Sequence, residues 1–376
     1  MSDARPWDDD RRVVLTLDAG GTSFRFSAIA GNREVAPGVK RPSHAGDLEA
    51  CLAGIVEGFS RVHEEAGGSV AALSFAFPGP ADYAGGVIGD LGNLPAFRGG
   101  VALGPMLEDR FGVPVFINND GDLFAYGEAR HGLLPEVNRM LEAAGNPRRY
   151  RNLLGVTLGT GFGAGIVRGG ALFLGDNGAA AEIWLERNKL DRACPAEEGV
   201  GIRAVRSAYA RLAGLAPEDA PEPQTIAAIA RGASPGDAAA AREAFRRMGE
   251  VAGDAIANAL TLVDGLVVVG GGLSGAADLF LPALVGELNG TLEKALGERV
   301  PRLEISAFNL EDENECRRFL AGSPRAVRVP GSDRTVSYDP EKRTGVGLSR
   351  LGTSRAVSRG AYAWAIDALD RARRRS

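Results

Sequence analysis

Residues 17–26 read LDAGGTSFRF, and this stretch decides how the chain is interpreted. Residues 12–18 are mostly aliphatic or β-branched, which predicts a buried strand that ends at Asp18, and residues 23–30 predict its hairpin partner. Glycines let a backbone approach an anion closely, and their N–H groups can point at phosphate oxygens. The turn therefore predicts a phosphate-binding loop. A plain hairpin turn, with the aspartate capping its own backbone, is the alternative.

Length and composition limit the classes of protein to which the chain can belong. Its 376 residues are enough for two domains. A net charge of −5 argues against a broad nucleic-acid-binding surface, and no apolar run approaches the ~20 residues that a membrane-spanning helix needs. The N-terminal stretch MSDARPWDDDRR lacks a signal-peptide core, and the three cysteines lie far apart. We therefore expect a cytoplasmic protein that binds neither nucleic acid nor membrane.

Two further glycine turns follow predicted strands. Residues 158–165 (LGTGFGAG) repeat the glycine–threonine–glycine theme, and the strand pattern near residue 153 is similar to that near residue 13, which suggests two related halves. Residues 267–280 (VVVGGGLSGAADLF) lead from a buried strand through glycines into a helix. No turn is followed by the Gly-Lys-Ser/Thr of a Walker A loop. Together the three turns predict a nucleotide triphosphate held in a cleft.

The third turn also supports a different function. Gly270, Gly272 and Gly275 match the G-x-G-x-x-G pattern between a strand and a helix, as in an NAD-dependent oxidoreductase. That fingerprint needs an acidic residue at the end of the next strand, about 20 residues on. The next strand candidate, residues 302–309, ends in Asn309 instead. The NAD-dependent oxidoreductase is therefore kept as the alternative function.

The remaining pattern predicts a mixed α/β protein. Residues 310–350 are polar and irregular, so we expect a surface insertion there, with a small hairpin at 326–339. The other predicted strands lie at 70–80, 113–118, 153–175 and 265–275, and the predicted helices at 47–65, 101–111, 121–130, 199–263 and 354–373.

Six segments, taken in order, resemble the motifs of the ROK (repressor, open reading frame, kinase) family of sugar kinases, in the sugar-kinase/actin/heat-shock ATPase superfamily. They are LDAGGTSFRF, FPGP, LGNLPAF, INNDGDLFAYGEARHG, LGTGFGAGIVRGGALFLGDNGAAAEIW and VVVGGGLSG. The resemblance covers roughly residues 12–290 and returns at 352–365. It implies an α/β fold with two ribonuclease-H-like, actin-like ATPase domains around a central cleft. The N-terminal domain would comprise residues 1–118 plus 355–376, and the C-terminal domain residues 119–354 with an irregular insertion at about 310–350.

The resemblance also implies an activity, the transfer of the γ-phosphate of ATP to a hexose hydroxyl, expected to be the 6-hydroxyl, as in a glucokinase or hexokinase. Asp120 falls at the position of the family's general base. Phosphoryl transfer needs such a carboxylate to accept the hydroxyl proton. From the residues alone, a plain turn, or Asp120 as the N-cap of the helix that is predicted to start at residue 121, is favoured over a base, and the resemblance reverses this preference.

Further roles carry over residue by residue. Asp18 would hold Mg²⁺ through a water. ATP would be bound by Asp18, Gly20, Gly21, Thr22, Gly159, Thr160, Gly161, Gly163, Gly270, Gly271 and Gly272. The sugar would contact Gly79, Asn93, Asn119, Asp120, Glu182 and Glu197, with an alignment shift to Glu198 as an alternative for the last.

The chain departs from the family near residues 182–200. Trp184 stands where many members carry a histidine, and Cys194 is the only cysteine in a stretch where many members carry three. One thiolate does not make a tetrahedral zinc site, so we predict no zinc. Trp184 would either stack on a sugar ring or fill the core.

Two other functions within the family are compared with the kinase. A sugar-responsive repressor needs a helix-turn-helix module, and only about a dozen residues precede the first predicted strand, so we do not expect a repressor. A non-catalytic sugar-binding member would keep the same motifs. Dimers are common in the family, so a homodimer is compatible with the sequence.

Overall fold

The structure is a computed structural model that describes residues 7–19, 23–90 and 95–374. The chain divides into two compact units. The first comprises the described residues of Met1–Gly132, Gly165–Ala180 and Arg350–Ser376, and the second comprises Leu133–Ala164 and Ala181–Ser349. This division keeps residues 119–132 with the first unit, whereas the boundary drawn from the sequence lies after residue 118.

The secondary structure alternates between strands and helices. Up to residue 131 the elements are β1 (Val13–Ala19), β2 (Ser23–Ala30), β3 (Arg33–Glu34), β4 (Val39–Pro42), α1 (Leu48–Ala66), β5 (Val70–Ala76), β6 (Ala81–Asp82), β7 (Val87–Ile88), α2 (Leu103–Phe111), β8 (Val115–Asn118) and α3 (Asp120–His131). After it follow α4 (Leu133–Ala143), β9 (Leu153–Leu158), β10 (Phe162–Arg168), β11 (Ala171–Phe173), α5 (Ile202–Ala213), α6 (Pro223–Ala230), α7 (Ala238–Val263), β12 (Leu266–Gly270), α8 (Ala277–Leu288), β13 (Thr291–Glu293), β14 (Arg299–Pro301), β15 (Ser306–Asn309), α9 (Glu313–Ala321), β16 (Arg325–Arg328), β17 (Thr335–Tyr338), β18 (Arg343–Leu348) and α10 (Thr353–Arg373).

The described strands form two large sheets of similar design. The first has the order β3-β2-β1-β5-β8, with β4 also paired to β2, and the second has the order β11-β10-β9-β12-β18-β15. In the first sheet β1 and β2 are antiparallel, whereas β1, β5 and β8 run parallel. In the second sheet β10 and β11 are antiparallel, whereas β9, β12, β18 and β15 run parallel. The suggestion of two related halves agrees with this repeated strand order.

The first sheet is buried on both faces, as parallel strands with helices on either side usually are. The β1–β2 hairpin and the strand β5 alternate their side chains between these faces. Each fully buried large apolar side chain contributes about 1.5–3 kcal/mol to the stability of such a core. One face packs with α1 through Leu15, Phe24, Phe26, Phe59 and Phe75, and the other packs with α10 through Val14, Ile29, Ala72, Tyr362 and Ile366.

Helix α3, which begins at Asp120, lies against α10 at backbone distance. A Cβ atom on Gly360 would come within 1.9 Å of the carbonyl oxygen of Leu123, and one on Gly127 within 2.0 Å of that of Ala356. Only glycine allows two helices to approach so closely. The closing helix of the chain therefore fixes the position of α3 within the first unit.

The segment 310–350 is not the irregular surface insertion that its polarity predicts. It contains α9 and the strand β18, which lies between β12 and β15 and is parallel to both. Glycines at positions 345 and 347 make room for Leu310 and Leu133, whose side chains would lie 2.7 Å and 2.9 Å from a Cβ at those positions. The insertion prediction was wrong because β18 (RTGVGL) lacks the hydrophobic pattern of a buried strand.

Arg343, the charged residue of β18, is the second reason why the insertion prediction was wrong. The Arg343 side chain is 0% exposed, and its Nε donates to the carbonyl of Phe319 at 2.7 Å. Its Nη1 pairs with Asp339 at 2.5 Å and also donates to the carbonyl of Glu341. These bonds at Nε and Nη1 offset part of the cost of burying the guanidinium, whereas its Nη2 has no hydrogen-bond partner among the described residues. In a sequence, however, an arginine at the start of a short strand predicts an exposed position.

Several predicted elements are confirmed. The strand at 12–18 and its partner at 23–30 appear as β1 and β2, and the small hairpin at 326–339 appears as β16 and β17. Within the part of the chain that the structure describes, no helix combines the length and the apolar character needed to cross a membrane.

The close approach of α3 and α10 leads to a stability prediction. Gly360→Ala should lower the free energy of unfolding by about 1–3 kcal/mol, because the methyl group cannot fit beside the Leu123 carbonyl unless the helices separate. Urea denaturation measures the change. Gly54→Ala in α1 is the matched control, since the nearest atom to its Cβ would be 3.9 Å away, and it should be neutral or stabilising by up to about 1 kcal/mol. Equal stability of the two variants would contradict the packing described here.

Candidate active site

The carboxyl ends of three parallel strands collect the candidate residues of the first unit. Asp18 lies near the end of β1, Gly79 three residues after β5, and Asn119 directly after β8. Because β1, β5 and β8 are parallel neighbours, their carboxyl ends meet at one edge of the sheet. Ligands of open α/β sheets bind at this edge.

The first glycine turn is described only in part. Asp18 is half-buried, and in the antiparallel β1–β2 ladder its backbone lies opposite that of Arg25. Gly20, Gly21 and Thr22 lie outside the described residues, as does Asn93. Their roles in binding phosphate and sugar stay predictions.

Asn119 and Asp120 begin α3 at the point where β8 ends. Asn119 is the N-cap, with extended backbone angles, and its Oδ1 accepts from the N–H of Gly121 at 2.8 Å. One oxygen of Asp120 accepts from the same N–H at 2.9 Å. These contacts satisfy a backbone donor that the first turn of a helix leaves without a partner. The predicted N-cap function thus belongs mainly to Asn119, and the second oxygen of Asp120 is not part of this cap.

The environment of Asp120 disfavours its charge. The residue as a whole is exposed, but protein atoms surround its carboxyl group. The resulting loss of hydration is the largest influence on the pKa of Asp120 and raises it. The negative charge of Asp18 also raises the pKa, while the hydrogen bond from Gly121 opposes the change. The net result is a pKa above the ordinary value of 3.8. Such a carboxylate accepts a proton more readily than an ordinary one.

The second glycine turn joins β9 to β10. Gly159 donates its N–H to the carbonyl of Gly161 at 3.1 Å, and Thr160 between them is exposed. A Cβ on Gly163 would come within 2.8 Å of Oγ1 of Thr157, so the returning strand lies directly against β9. The turn exposes a short run of backbone without bulky side chains, which suits close approach of an anion.

The third glycine turn lies beside the second within the second unit. β12 ends at Gly270, and Gly271 has a φ of +93°, where a Cβ would meet the carbonyl oxygen of Leu158 at 2.2 Å. Leu273 donates its N–H to that carbonyl at 3.0 Å. Among the described residues, no atom outside residues 271–273 lies within 4 Å of the position of a Cβ on Gly272. The two turns therefore meet at the parallel ends of β9 and β12 and leave open space at Gly272.

The strand order disfavours the dinucleotide interpretation of the third turn. In a Rossmann unit the helix after the glycine turn leads into a parallel neighbour of the first strand. Here α8 is followed by the hairpin β13–β14 and then by β15, which pairs with β18 and not with β12. The strand β15 also ends in Asn309 and not in an acid. Only the glycine pattern of the third turn therefore supports an NAD-binding site.

Glu182 and Trp184 lie in a short irregular segment of the second unit. The indole Nε1 of Trp184 donates to a carboxylate oxygen of Glu182. Trp184 is 36% exposed, so it does not fill the core, and that alternative is wrong. An exposed indole ring beside a carboxylate is a combination that can contact a sugar.

Glu197 is tied to the second glycine turn. Its Oε2 accepts from the backbone N–H of Phe162 at 3.0 Å, and a Cβ on Gly161 would lie 2.6 Å from the same oxygen. The sequence does not reveal this contact, because nothing in the spacing of residues 162 and 197 indicates that they meet. Glu198 points elsewhere and pairs with Arg203.

The structure thus assembles two sets of candidate residues. Asp18, Gly79, Asn119 and Asp120 share the carboxyl edge of the first sheet, and the second and third turns meet with Glu197 in the second unit. Among the residues that the structure describes, no group of three or more His, Cys, Asp and Glu side chains could hold a metal ion. The absence of zinc stays a prediction.

The raised pKa of Asp120 leads to a prediction about stability and pH. The folded protein holds the carboxyl proton of Asp120 more tightly than the unfolded chain does. Ionisation of Asp120 therefore lowers the stability of the fold above the raised pKa, and this loss is relieved as the pH falls through that pKa. Asp120→Asn should therefore melt at a higher temperature than the wild type at pH 8, and the difference should shrink towards about pH 4. Asp109→Asn, on the exposed side of α2, is the control and should show no such trend. A gain that grows on acidification would refute the direction given for this pKa.

Comparison with known proteins identifies relatives among sugar kinases. The ROK family model matches residues 14–316. The glucokinase of Streptomyces coelicolor is 31% identical over 197 residues, which cover 46% of this chain and 56% of that protein. The N-acetyl-D-glucosamine kinase of Vibrio cholerae is 30% identical over 175 residues, which cover 46% and 53%. The chain thus spans about half the length of the curated relatives it matches.

Solved structures extend the likeness over nearly the whole chain. A glucokinase from Parabacteroides distasonis is 51% identical with a TM-score of 0.88, over 96% of this chain and 99% of that one. A ROK family glucokinase from Streptomyces griseus, solved with glucose and AMPPNP, shows the same fold at 22% identity, with a TM-score of 0.59 over 93% and 98% of the two chains. The expected actin-like ATPase fold is confirmed. Because the family model covers well over half of the residues, the chain belongs to the ROK family.

Proposed function

We propose that the protein is an ATP-dependent sugar kinase that transfers the γ-phosphate to a hexose hydroxyl, the 6-hydroxyl first among them. The observation that carries this proposal is the Asn119–Asp120 pair at the carboxyl edge of the first sheet, where the carboxylate has a raised pKa. Relatives named glucokinase and N-acetyl-D-glucosamine kinase support a hexose or an amino sugar as the acceptor.

Asp120 acts as the general base in this mechanism. Its Oδ2, which is not the oxygen bonded to Gly121, accepts the proton of the sugar hydroxyl while the hydroxyl oxygen attacks the γ-phosphorus. The bond from that phosphorus to the bridging oxygen breaks, and ADP leaves. Asn119 has its Oδ1 engaged with Gly121, so its amide N–H groups are the part that can orient the sugar.

The glycine turns bind the phosphates in this proposal. Backbone N–H groups of Thr160 and Gly161 donate to phosphate oxygens, Gly159 lets the phosphate approach the backbone, and the open space at Gly272 takes the adenosine side of the nucleotide. Asp18 offers the carboxylate oxygen that Mg²⁺ prefers, and Mg²⁺ usually keeps several waters beside one or two carboxylates. Bound with ATP, Mg²⁺ would neutralise charge on the phosphates. Asp18 lies close enough to Asp120 to raise its pKa, which supports a common site.

Sugar recognition is proposed for a small group of polar residues. The exposed ring of Trp184 can stack on a sugar, and its hydrogen bond to Glu182 orients the carboxylate beside it. Glu197 has one oxygen on Phe162, and its other oxygen can accept from a hydroxyl. Gly79, exposed after β5, and Asn93 complete the proposed set. Glucose is the first substrate to test, followed by N-acetylglucosamine.

The central test is the removal of the proposed base. Asp120→Ala should lower kcat for sugar-dependent ADP release by about 100-fold or more, because general-base catalysis contributes about 100- to 10,000-fold. A coupled assay across glucose, mannose, fructose and N-acetylhexosamines measures the rate. Asp109→Ala, which removes an exposed carboxylate of α2, is the matched control and should keep the wild-type rate.

Each outcome distinguishes one function from another. Near-wild-type turnover by Asp120→Ala would exclude this residue as the base. A wild-type protein that binds a sugar but releases no ADP with any of them would be a non-catalytic member of the family. An increase in NADH fluorescence on mixing with the protein, without ADP release, would instead favour the oxidoreductase.

A further inference from the structure

The second glycine turn is held in place from outside by residues 197–202. Glu197 accepts from the N–H of Phe162 at 3.0 Å. Ile202 donates its N–H to the carbonyl of Gly159 at 2.9 Å. At Gly201, whose φ is +111°, a Cβ would lie 3.0 Å from the same carbonyl oxygen. The conformation of the turn therefore depends on where the chain from 197 to 202 is placed.

Residues 186–195, which lead to Glu197, form a compact loop around Asn188. Asn188 is 4% exposed, and its Oδ1 accepts from the N–H groups of Leu190 and Asp191 at 2.9 Å and 3.1 Å. Its own N–H donates to the carbonyl of Cys194 at 3.0 Å. The backbone of Asn188 thereby closes the loop, and its side chain holds the turn at Leu190 and Asp191.

Asn188 also contacts the turn that carries Glu197. The short 3₁₀ helix Ala196–Gly199 packs so closely that a Cβ on Gly199 would lie 2.7 Å from Nδ2 of Asn188 and 2.9 Å from the side chain of Val251 in α7. The carbonyl of Glu186 accepts from the N–H of Ala196 at 2.6 Å. The 3₁₀ helix thus lies between Asn188 and α7.

Hydrogen bonds hold this loop, and a cavity lies beside it. Together with α5 and α7 it lines a cavity of about 350 Å³, whose wall includes Asn188, Asp191, Cys194 and Gly199. The side of the loop that faces this cavity lies against solvent and not against packed side chains. The thiol of Cys194 donates to Asp191 at 3.4 Å, a weak bond that adds to the loop but does not reach Glu197.

We propose that Asn188 is a positioning residue for the phosphate-binding turn. It fixes the loop and the 3₁₀ helix, the helix places Glu197, and Glu197 holds the N–H of Phe162 and with it the backbone of Gly159–Gly161. The link to ATP rests on the proposed kinase function, whereas the link from Asn188 to the turn does not. Nothing in the sequence pattern singles out this asparagine.

The first test measures the turn directly. In Asn188→Ala, the amide of Phe162 should exchange its hydrogen faster, seen by hydrogen–deuterium exchange in peptides that contain residues 159–163. Asn138→Ala is the matched control, because it removes a similar pair of side-chain bonds to the backbone of Tyr150, elsewhere in the same unit. It should leave exchange at 159–163 unchanged. Unchanged exchange in a folded Asn188→Ala would overturn the proposal, whether or not the protein is a kinase.

The second test measures the consequence for the nucleotide. The dissociation constant for Mg²⁺–AMPPNP without sugar should rise about 10-fold in Asn188→Ala, the loss expected for one hydrogen bond to a charged group. Asn188→Asp keeps an oxygen acceptor for Leu190 and Asp191 and should restore most of the affinity, which also covers the case in which the alanine variant does not fold. Weak binding in both Asn188 variants and in Asn138→Ala would contradict a specific positioning role. If the wild type binds no AMPPNP, the kinase proposal fails and the exchange experiment alone decides the role of Asn188.

Discussion

Parallel strands that end at a common edge are the constraint on which the rest of this structure depends. β1, β5 and β8 in one sheet, and β9 and β12 in the other, bring distant parts of the sequence together at their carboxyl ends. In the proposed function, glycine at those ends lets a phosphate approach the backbone itself. At Gly271 the crowding is severe enough that any side chain would collide with Leu158. The position of the proposed site is therefore set by the sheets, and few side chains are proposed to act on the substrate.

Asp120 shows how one position can serve the fold and the proposed chemistry. It begins a helix, where a negative charge is favoured by the unpaired N–H groups of the first turn. The surrounding protein and Asp18 work in the opposite direction and raise its pKa. The helix itself is anchored by backbone contact with α10, which returns from the end of the chain. Its position is thus set by packing far from the carboxylate, and its protonation by its immediate surroundings.

The sequence is informative where local chemistry is distinctive. The β1–β2 hairpin, the glycine turns and the Asn–Asp pair follow from β-branched runs, glycine clusters and helix capping, and the family resemblance adds their order. The sequence is uninformative where the decisive partner is distant. β18 has no hydrophobic pattern because glycines and a buried arginine that bonds to backbone carbonyls replace it, and the bond between Glu197 and Phe162 joins residues 35 apart. In its proposed role, Asn188 acts through hydrogen bonds to the backbone N–H groups of Leu190 and Asp191, and bonds to the backbone leave no pattern of side chains in the sequence.

The most direct test of the central claim is a crystal structure of the protein with glucose and Mg²⁺–AMPPNP bound together. The account predicts that the free carboxylate oxygen of Asp120 lies about 3 Å from a sugar hydroxyl oxygen, within hydrogen-bond reach. It also predicts phosphate oxygens at the N–H groups of Thr160 and Gly161. A sugar bound with Asp120 more than about 5 Å from every hydroxyl, too far for proton transfer, would contradict the account.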